Sequence, residues 1–520
     1  MKRLSLLKGV RVLLALLFFI PILVFFVDFT GILPDRVHVL LHLQIFPAFL
    51  SSMWLLLIAQ LLIAFVIGRL YCSTICPAGV LQDIINRIYC IGKKKSKGTR
   101  RFKYHRPMNL LRYVILALTL ISALAGMLNL ALLLDPYSNF GRIATNLFRP
   151  IIMWTNNGIA EVLMSMDNYS LYQVTISTVT TAGLISGLTA FVLFIGLTVW
   201  RGRIFCNSLC PVGALLSIAS RYSLFRISIN QESCIHCGLC ERNCKAEAID
   251  SKHMRIDTSR CVDCFNCLSA CSNGSLQYKF NPTSVSFQKE NPAQLAEEDK
   301  SKSRRTFLAT GATVIASLPI VPVLAEGKRM RKRRKKWPPV TPPGSLSLER
   351  FKDMCTGCHL CVTQCPSQVL RPAGLEYGLD YLLKPHMSYD NSYCNYECTV
   401  CADVCPTHAL KPISVEEKTT TQIGVAHFFI NRCIVHTENT DCGACSEHCP
   451  TQAVKMVPYK GTLTIPEVNP DLCVGCGGCE SICPVRPMRA IIIKSNETHK
   501  HVEKPKQEEV KEIEVTDFGF

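Results

Sequence analysis

The sequence predicts an α-helical membrane domain of four spans, followed by two α+β domains organised around clustered cysteines. Three observations predict it. Four long apolar runs fall within the first 200 residues. Beyond Phe225 these runs give way to cysteines recurring in groups of four. The whole chain of 520 residues holds 29 cysteines, with mean hydropathy +0.22 and formal net charge +18.

The apolar runs are Val12–Val27, Ala48–Ile67, Tyr113–Leu134 and Ala182–Trp200. A helix that crosses the hydrocarbon core needs about 20 apolar residues. The last three runs meet this alone, and Leu4–Leu7 extend the first, which carries Pro21. Four such runs without an amphipathic partner do not suit buried helices of a soluble protein. Lys and Arg gather before the first run, between the second and third (GKKKSKGTRRFKYHR), and after the fourth at Arg201, Arg203 and Arg221. The positive-inside rule therefore sets both ends of residues 1–225 in the cytoplasm. It also reads the basic excess as membrane orientation. No basic helix interleaved with aromatics is present, so nucleic acid is not an expected partner.

The second and fourth runs each lead into a repeated phrase, GRLYCSTICPAG from Gly68 and GRIFCNSLCPVG from Gly202. The domain thus reads as a duplicated helical hairpin, each copy ending in C-x3-C-P. Cys72 and Cys76, and likewise Cys206 and Cys210, are expected one helical turn apart. The two copies are expected to meet at a pseudo-symmetry axis. Four thiols there can bind a metal or cluster, or cycle between dithiol and disulfide, and both uses stay open. Cys90 stands alone and reads as structural. His38 and His42 are four apart, but no histidine lies in the other spans, so a membrane haem is not expected.

In residues 226–280, CIHCGLCERNC supplies Cys234, Cys237, Cys240 and Cys244, and CVDCFNCLSAC supplies Cys261, Cys264, Cys267 and Cys271. Both read C-x2-C-x2-C-x3-C, the bacterial ferredoxin run that wraps a [4Fe–4S] cluster. In it the fourth cysteine ligates the neighbouring cluster. One cluster is expected on Cys234, Cys237, Cys240 and Cys271, the other on Cys261, Cys264, Cys267 and Cys244. Lys245 and Ser272 stand where proline usually follows.

Residues 346–494 carry four more tetrads, each followed by proline. They are Cys355, Cys358, Cys361 and Cys365; Cys394, Cys398, Cys401 and Cys405; Cys433, Cys442, Cys445 and Cys449; and Cys473, Cys476, Cys479 and Cys483. The middle two are stretched by insertions. Structural zinc joins two separated C-x2-C knuckles, not three cysteines in one turn, so iron–sulfur is the expected metal chemistry. CTGCH at Cys355–His359 matches the c-type haem motif but falls inside a complete tetrad. Six tetrads take 24 cysteines, the two pairs take four, and Cys90 is the 29th. Six [4Fe–4S] clusters are expected.

Residues 281–345 read as a linker. Within it, SRRTFLATGATVIASLPIVPVLA (303–325) is similar to a twin-arginine export signal and serves as a fifth span or a cleaved leader. The basic run Lys328–Lys336 pulls the other way, toward the cytoplasm. WPPVTPPGS (337–345) reads as a stiff connector, and residues 495–520 as a charged, disordered tail.

With these motifs in place, residues 1 to about 280 resemble the NapH family in their four spans, two C-x3-C-P pairs and two-cluster ferredoxin. Residues 303 to about 490 resemble the NapG family in the twin-arginine leader, the PPG approach and four tetrads with the third stretched. The resemblance implies a fusion of the two, set as a multi-pass protein in a bacterial inner membrane. Its first ferredoxin domain would be cytoplasmic and its last domain periplasmic. It implies an electron-transfer subunit of a quinol dehydrogenase-type complex, drawing on the quinone pool and feeding a redox partner, a periplasmic reductase or cytochrome c. It further implies that Cys365 ligates the fourth tetrad's cluster and Cys483 the first's, with the second and third tetrads sharing likewise. The C-x3-C-P pairs also occur in NosR-like and CcoG-like proteins, of nitrous-oxide reduction and copper-oxidase maturation. A maturation or regulatory role in metal-centre assembly is therefore the alternative. No dinucleotide fingerprint, P-loop or nucleophile motif marks a terminal catalytic site.

Overall fold

The computed structural model describes residues 2–93, 102–126, 128–176, 180–280 and 337–503. The twin-arginine-like segment, the basic run behind it and residues 504–520 lie outside the described residues. The first part is organised by helices α1 (Lys2–Val27), α2 (Trp54–Ile67), α3 (Pro77–Lys93), α4 (Asn109–Leu124), α5 (Pro136–Ile143), α6 (Arg149–Met164), α7 (Thr181–Arg201) and α8 (Pro211–Ser220).

Among the described residues, two helices are long and apolar enough to cross a membrane: α1 over Leu6–Val27, and α7. The second and third expected spans are not continuous helices. The chain turns at Ser52 (φ 59°) and at Gly126 (φ +72°), leaving α2 with 14 residues and α4 with 16. At 1.5 Å per residue they reach about 21 and 24 Å, short of a hydrocarbon core of about 30 Å. α6 was not expected, because Asn156, Asn157 and Glu161 interrupt its apolar pattern. Several helices turn large apolar side chains outward, among them Leu13, Leu17, Leu55, Leu118, Trp154 and Leu188. The inward face is aromatic. Phe19 and Phe140 meet edge to face at 5.6 Å, and Phe26 lies 5.7 Å from Tyr137.

The first cysteine-rich unit pairs β1 (Phe225–Ile229) with β4 (Leu276–Phe280), and β2 (Ile249–Asp250) with β3 (Arg255–Ile256), all antiparallel. The larger unit pairs β5 (Leu370–Pro372) with β6 (Pro385–Met387), β7 (Thr421–Phe428) with β10 (Ile491–His501), and β8 (Val454–Pro458) with β9 (Thr464–Val468). The stiff connector packs into the larger unit: Thr341 and Ser345 are fully buried, Thr341 Oγ1 meets His499 Nε2 at 2.9 Å, and Val340 accepts from Met387 N. One expectation is corrected here: the tail does not begin at 495, since β10 runs to His501. There the open edge of β7 supplies backbone partners that outweigh a charged composition.

The two units grip opposite ends of α1. Near its start, Lys8 Nζ donates to Ser269 Oγ at 3.4 Å in the first unit. Near its end, Phe25 O accepts from Gln364 Nε2 at 2.6 Å in the larger unit. A helix of 26 residues covers about 39 Å. The larger unit is further fixed by Thr145 against Thr363 (2.8 Å) and by Asn146 against His359 (3.0 Å).

Candidate metal centres

The regular tetrads place three cysteines close together in sequence and a fourth three residues on, while in the third tetrad Cys433 stands nine residues before Cys442. In the first unit, Cys234, Cys237, Cys240 and Cys271 line one cavity, and Cys244, Cys261, Cys264 and Cys267 line a second. In the larger unit Cys405 faces Cys355, Cys358 and Cys361, while Cys365 faces Cys394 and Cys401. Cys483 joins Cys433, Cys442 and Cys445 around a cavity, and Cys449 faces Cys473, Cys476 and Cys479.

Sharing therefore runs first with second and third with fourth. This contradicts the expectation that Cys365 serves the fourth tetrad and Cys483 the first. The reason combines a local turn with the packing of neighbouring repeats. Cys365 and Cys483 end short helices in extended backbone, φ −70°/ψ 112° and φ −52°/ψ 122°, as a residue before proline prefers. That geometry turns each sulfur out of its own turn, and the nearest open group is the adjacent repeat.

The donor set fits iron–sulfur clusters. Burial pushes the Cys244 thiol up to about 11 and the Cys355, Cys445 and Cys476 thiols up to about 12, so bare thiols here would stay neutral. Backbone N–H groups nevertheless aim at sulfur. Ala248, Leu410 and Ala426 each donate at 3.4 Å, to Cys244, Cys405 and Cys473. Such donors stabilise thiolate, the form that iron binds.

His359, the histidine of the haem-like CTGCH, is 1% exposed. Its Nδ1 accepts from Asn146, and its Nε2 donates to Leu383 O at 2.9 Å. Burial and the neighbouring Arg142 push it down to about 3, so it is neutral and both ring nitrogens are engaged. It is a docking contact and has no free nitrogen for a haem.

The C-x3-C-P pairs are built by two near-identical turns. In each, proline ends one helix and begins the next, as Pro does at a first helical position. Cys76 N bonds to Tyr71 O at 3.0 Å, and Cys210 N to Phe205 O at 2.9 Å, a five-residue step in both copies. The single helical turn expected is thus a wider one. The copies then lock reciprocally: Arg69 Nη2 donates to Cys206 O (3.0 Å), and Arg203 Nη1 donates to Cys72 O (2.7 Å). Each turn also reaches the first cysteine-rich unit. Arg203 N donates to Lys245 O at 3.0 Å, and Arg69 Nη1 donates to Ser259 O at 2.9 Å. Sequence reasoning singled out the cysteines and missed these arginines, although Gly-Arg precedes both pairs.

The glycine three residues after each second cysteine has a steric cause. A Cβ at Gly79 would lie 2.1 Å from Cys72 O, and one at Gly213 would lie 2.1 Å from Cys206 O. Gly79→Ala or Gly213→Ala is expected to cost about 1–3 kcal/mol by overpacking, seen as a lower melting temperature in detergent. Gly196→Ala, with nothing within 4 Å of its Cβ, should melt as the unsubstituted protein does.

Comparison with known proteins agrees with this chemistry. Residues 49–98 and 184–230, which hold the two C-x3-C-P turns, match a family described as 4Fe-4S binding domain. Residues 226–272, 257–369, and 354–409 with 440–486 match families described as 4Fe-4S dicluster domain. The ferredoxin-type protein NapH of Escherichia coli (strain K12) is 26% identical over 39% of this chain and 59% of its own length. The ferredoxin-type protein NapG of the same organism is 30% identical over 24% of this chain and 52% of its own. The methylamine utilization ferredoxin-type protein MauN of Paracoccus denitrificans (strain Pd 1222) is 28% identical over 34% and 48%. The chain thus spans roughly half of each of these relatives, and it combines likeness to NapH with likeness to NapG, as a fusion of the two would. No solved structure matches. The chain is similar to ferredoxin-type proteins, and its 4Fe-4S matches support an iron–sulfur electron-transfer role.

Proposed function

We propose that this chain is a membrane-anchored conduit that takes electrons from quinol and delivers them to a redox partner on the opposite face. The observation that carries this reading is the placement of two cysteine-rich units at opposite ends of α1. The outward apolar surface of α1, α2, α4, α6 and α7 supports lipid as their neighbour. With Lys8, Arg11, Arg201 and Arg203 at its end, the first unit faces the cytoplasm, and the larger unit then faces the periplasm.

In this reading the six tetrads hold six [4Fe–4S] clusters, which supply one-electron transfer at potentials tuned by hydrogen bonding and exposure. The chain's own residues do the rest. The tetrads fix the thiolates, the backbone N–H groups at Ala248, Leu410 and Ala426 steady the sulfur charge, and apolar packing excludes water.

Anaerobic mixing of the oxidised, purified protein with ubiquinol and menaquinol analogues tests the proposal. Bleaching of the visible iron–sulfur absorbance, with reduced-cluster EPR signals, is the expected result. No reduction by either quinol would reject the quinol-linked role.

A further inference from the structure

We infer that Cys72, Cys76, Cys206 and Cys210 together hold one iron–sulfur cluster, two thiolates from each repeat, at the pseudo-twofold axis of the helical part. This rests on the iron–sulfur reading above and adds a centre to it. All four cysteines are 2–4% exposed, none is disulfide-bonded, and all belong to one packed core. Each of the two matched stretches supplies one C-x3-C-P pair, too few ligands alone, and the reciprocal arginine bonds bring the pairs together.

The surroundings ask for negative charge. Arg69 is fully buried, with Nη2 at 3.8 Å from Cys72 Sγ, and its other bonds go to carbonyl oxygens, including the amide of Asn207. Its Nε has no hydrogen-bond partner among the described residues. Arg112, also buried, donates to Asn207 O and Ser259 Oγ. The nearby Asp83 is already shared among Arg203, Lys245 and Arg11. Asp263 stands beside Arg69 and Asp257 beside Arg112. The guanidinium aimed at Cys72 Sγ is the positive charge that a thiolate there would meet.

Gln82 adds an independent pointer. It is 1% exposed, and its Oε1 accepts from Cys206 Sγ at 3.4 Å, while its Nε2 has no partner among the described residues. A buried amide N–H without a partner calls for an acceptor, and a bound inorganic sulfide would be one. The place is also right for an additional centre. Arg69 links the site to Ser259, two residues before Cys261, and on the other side Cys76 faces Asp135 at the start of α5, whose Tyr137 faces Cys358.

The test compares iron and acid-labile sulfide per full-length chain, purified anaerobically, for the unsubstituted protein, the Cys72→Ser/Cys206→Ser variant and Cys90→Ser. The double variant should lose about two to four Fe with equal sulfide and keep the reduced [4Fe–4S] EPR signals, and Cys90→Ser should lose none. Alkylation of the unsubstituted protein, read by mass spectrometry, covers a variant that does not accumulate. The four cysteines should become reactive together only when iron is chelated. Unchanged iron in the double variant, a disulfide among the four, zinc or copper in place of iron, or alkylation indifferent to chelation would overturn the inference. Unchanged iron with a full complement elsewhere rejects this centre alone, whereas a protein without iron and sulfide rejects the wider reading.

Discussion

Asp83→Asn is expected to destabilise the junction between the helical part and the first cysteine-rich unit by about 3–5 kcal/mol, the usual cost of removing one partner from a buried ion network. Asp83 sits on α3 with its side chain 12% exposed. It meets Arg203 at 2.7 Å and Lys245 at 2.5 Å, and it also pairs with Arg11 of α1. One carboxylate therefore ties α1, α3, the second cysteine turn and the end of the first tetrad. Asparagine keeps the shape and removes the charge, leaving three cations buried. Burial alone would raise the Asp83 carboxyl, but Arg203, Lys245 and Arg11 outweigh it and hold the group well below its ordinary 3.8. The folded value is thus the lower one. Its stabilisation is fully present above pH 3.8 and is lost as pH falls toward the folded value, so stability should be insensitive to this group between pH 5 and 8. Thermal melts of the detergent-solubilised protein check both points. Equal melting temperatures for the variant and the unsubstituted chain would contradict the network's role.

The second large effect concerns ligand sharing in the larger unit. Cys355→Ser with Cys405→Ser should cost one cluster, about four Fe, because both thiolates serve the same cavity. Cys355→Ser with Cys483→Ser should cost two clusters, about eight Fe, because Cys483 belongs with Cys433, Cys442 and Cys445. If tetrads one and four exchanged ligands instead, the two outcomes would be reversed. Iron quantitation with counting of EPR signals decides between them.

Much of the chemistry was legible because metal ligation is local. Three cysteines in a turn with a fourth before proline announce themselves in sequence, and the duplicated C-x3-C-P phrase announced the symmetry. Which cavity a fourth cysteine enters was not legible, since that depends on which repeat packs beside it. Cys365 and Cys483 were misassigned for that reason. The helix breaks at Ser52 and Gly126 were also missed, because an apolar run says nothing of a bend within it. Residues 495–501 looked like a disordered tail by composition, yet they are held by backbone bonds to β7, which composition does not report. Arg69, Arg203 and Asp83 lie in segments that read simply as positive-inside charge. Only their packing shows that they join the two repeats to the first cysteine-rich unit.

The most direct measurement is the metal and sulfide content of the full-length protein prepared without oxygen. Six filled tetrads require at least about 24 Fe and as many inorganic sulfides per chain, with negligible zinc. A preparation with far less iron, or with zinc in these cavities, would contradict the account.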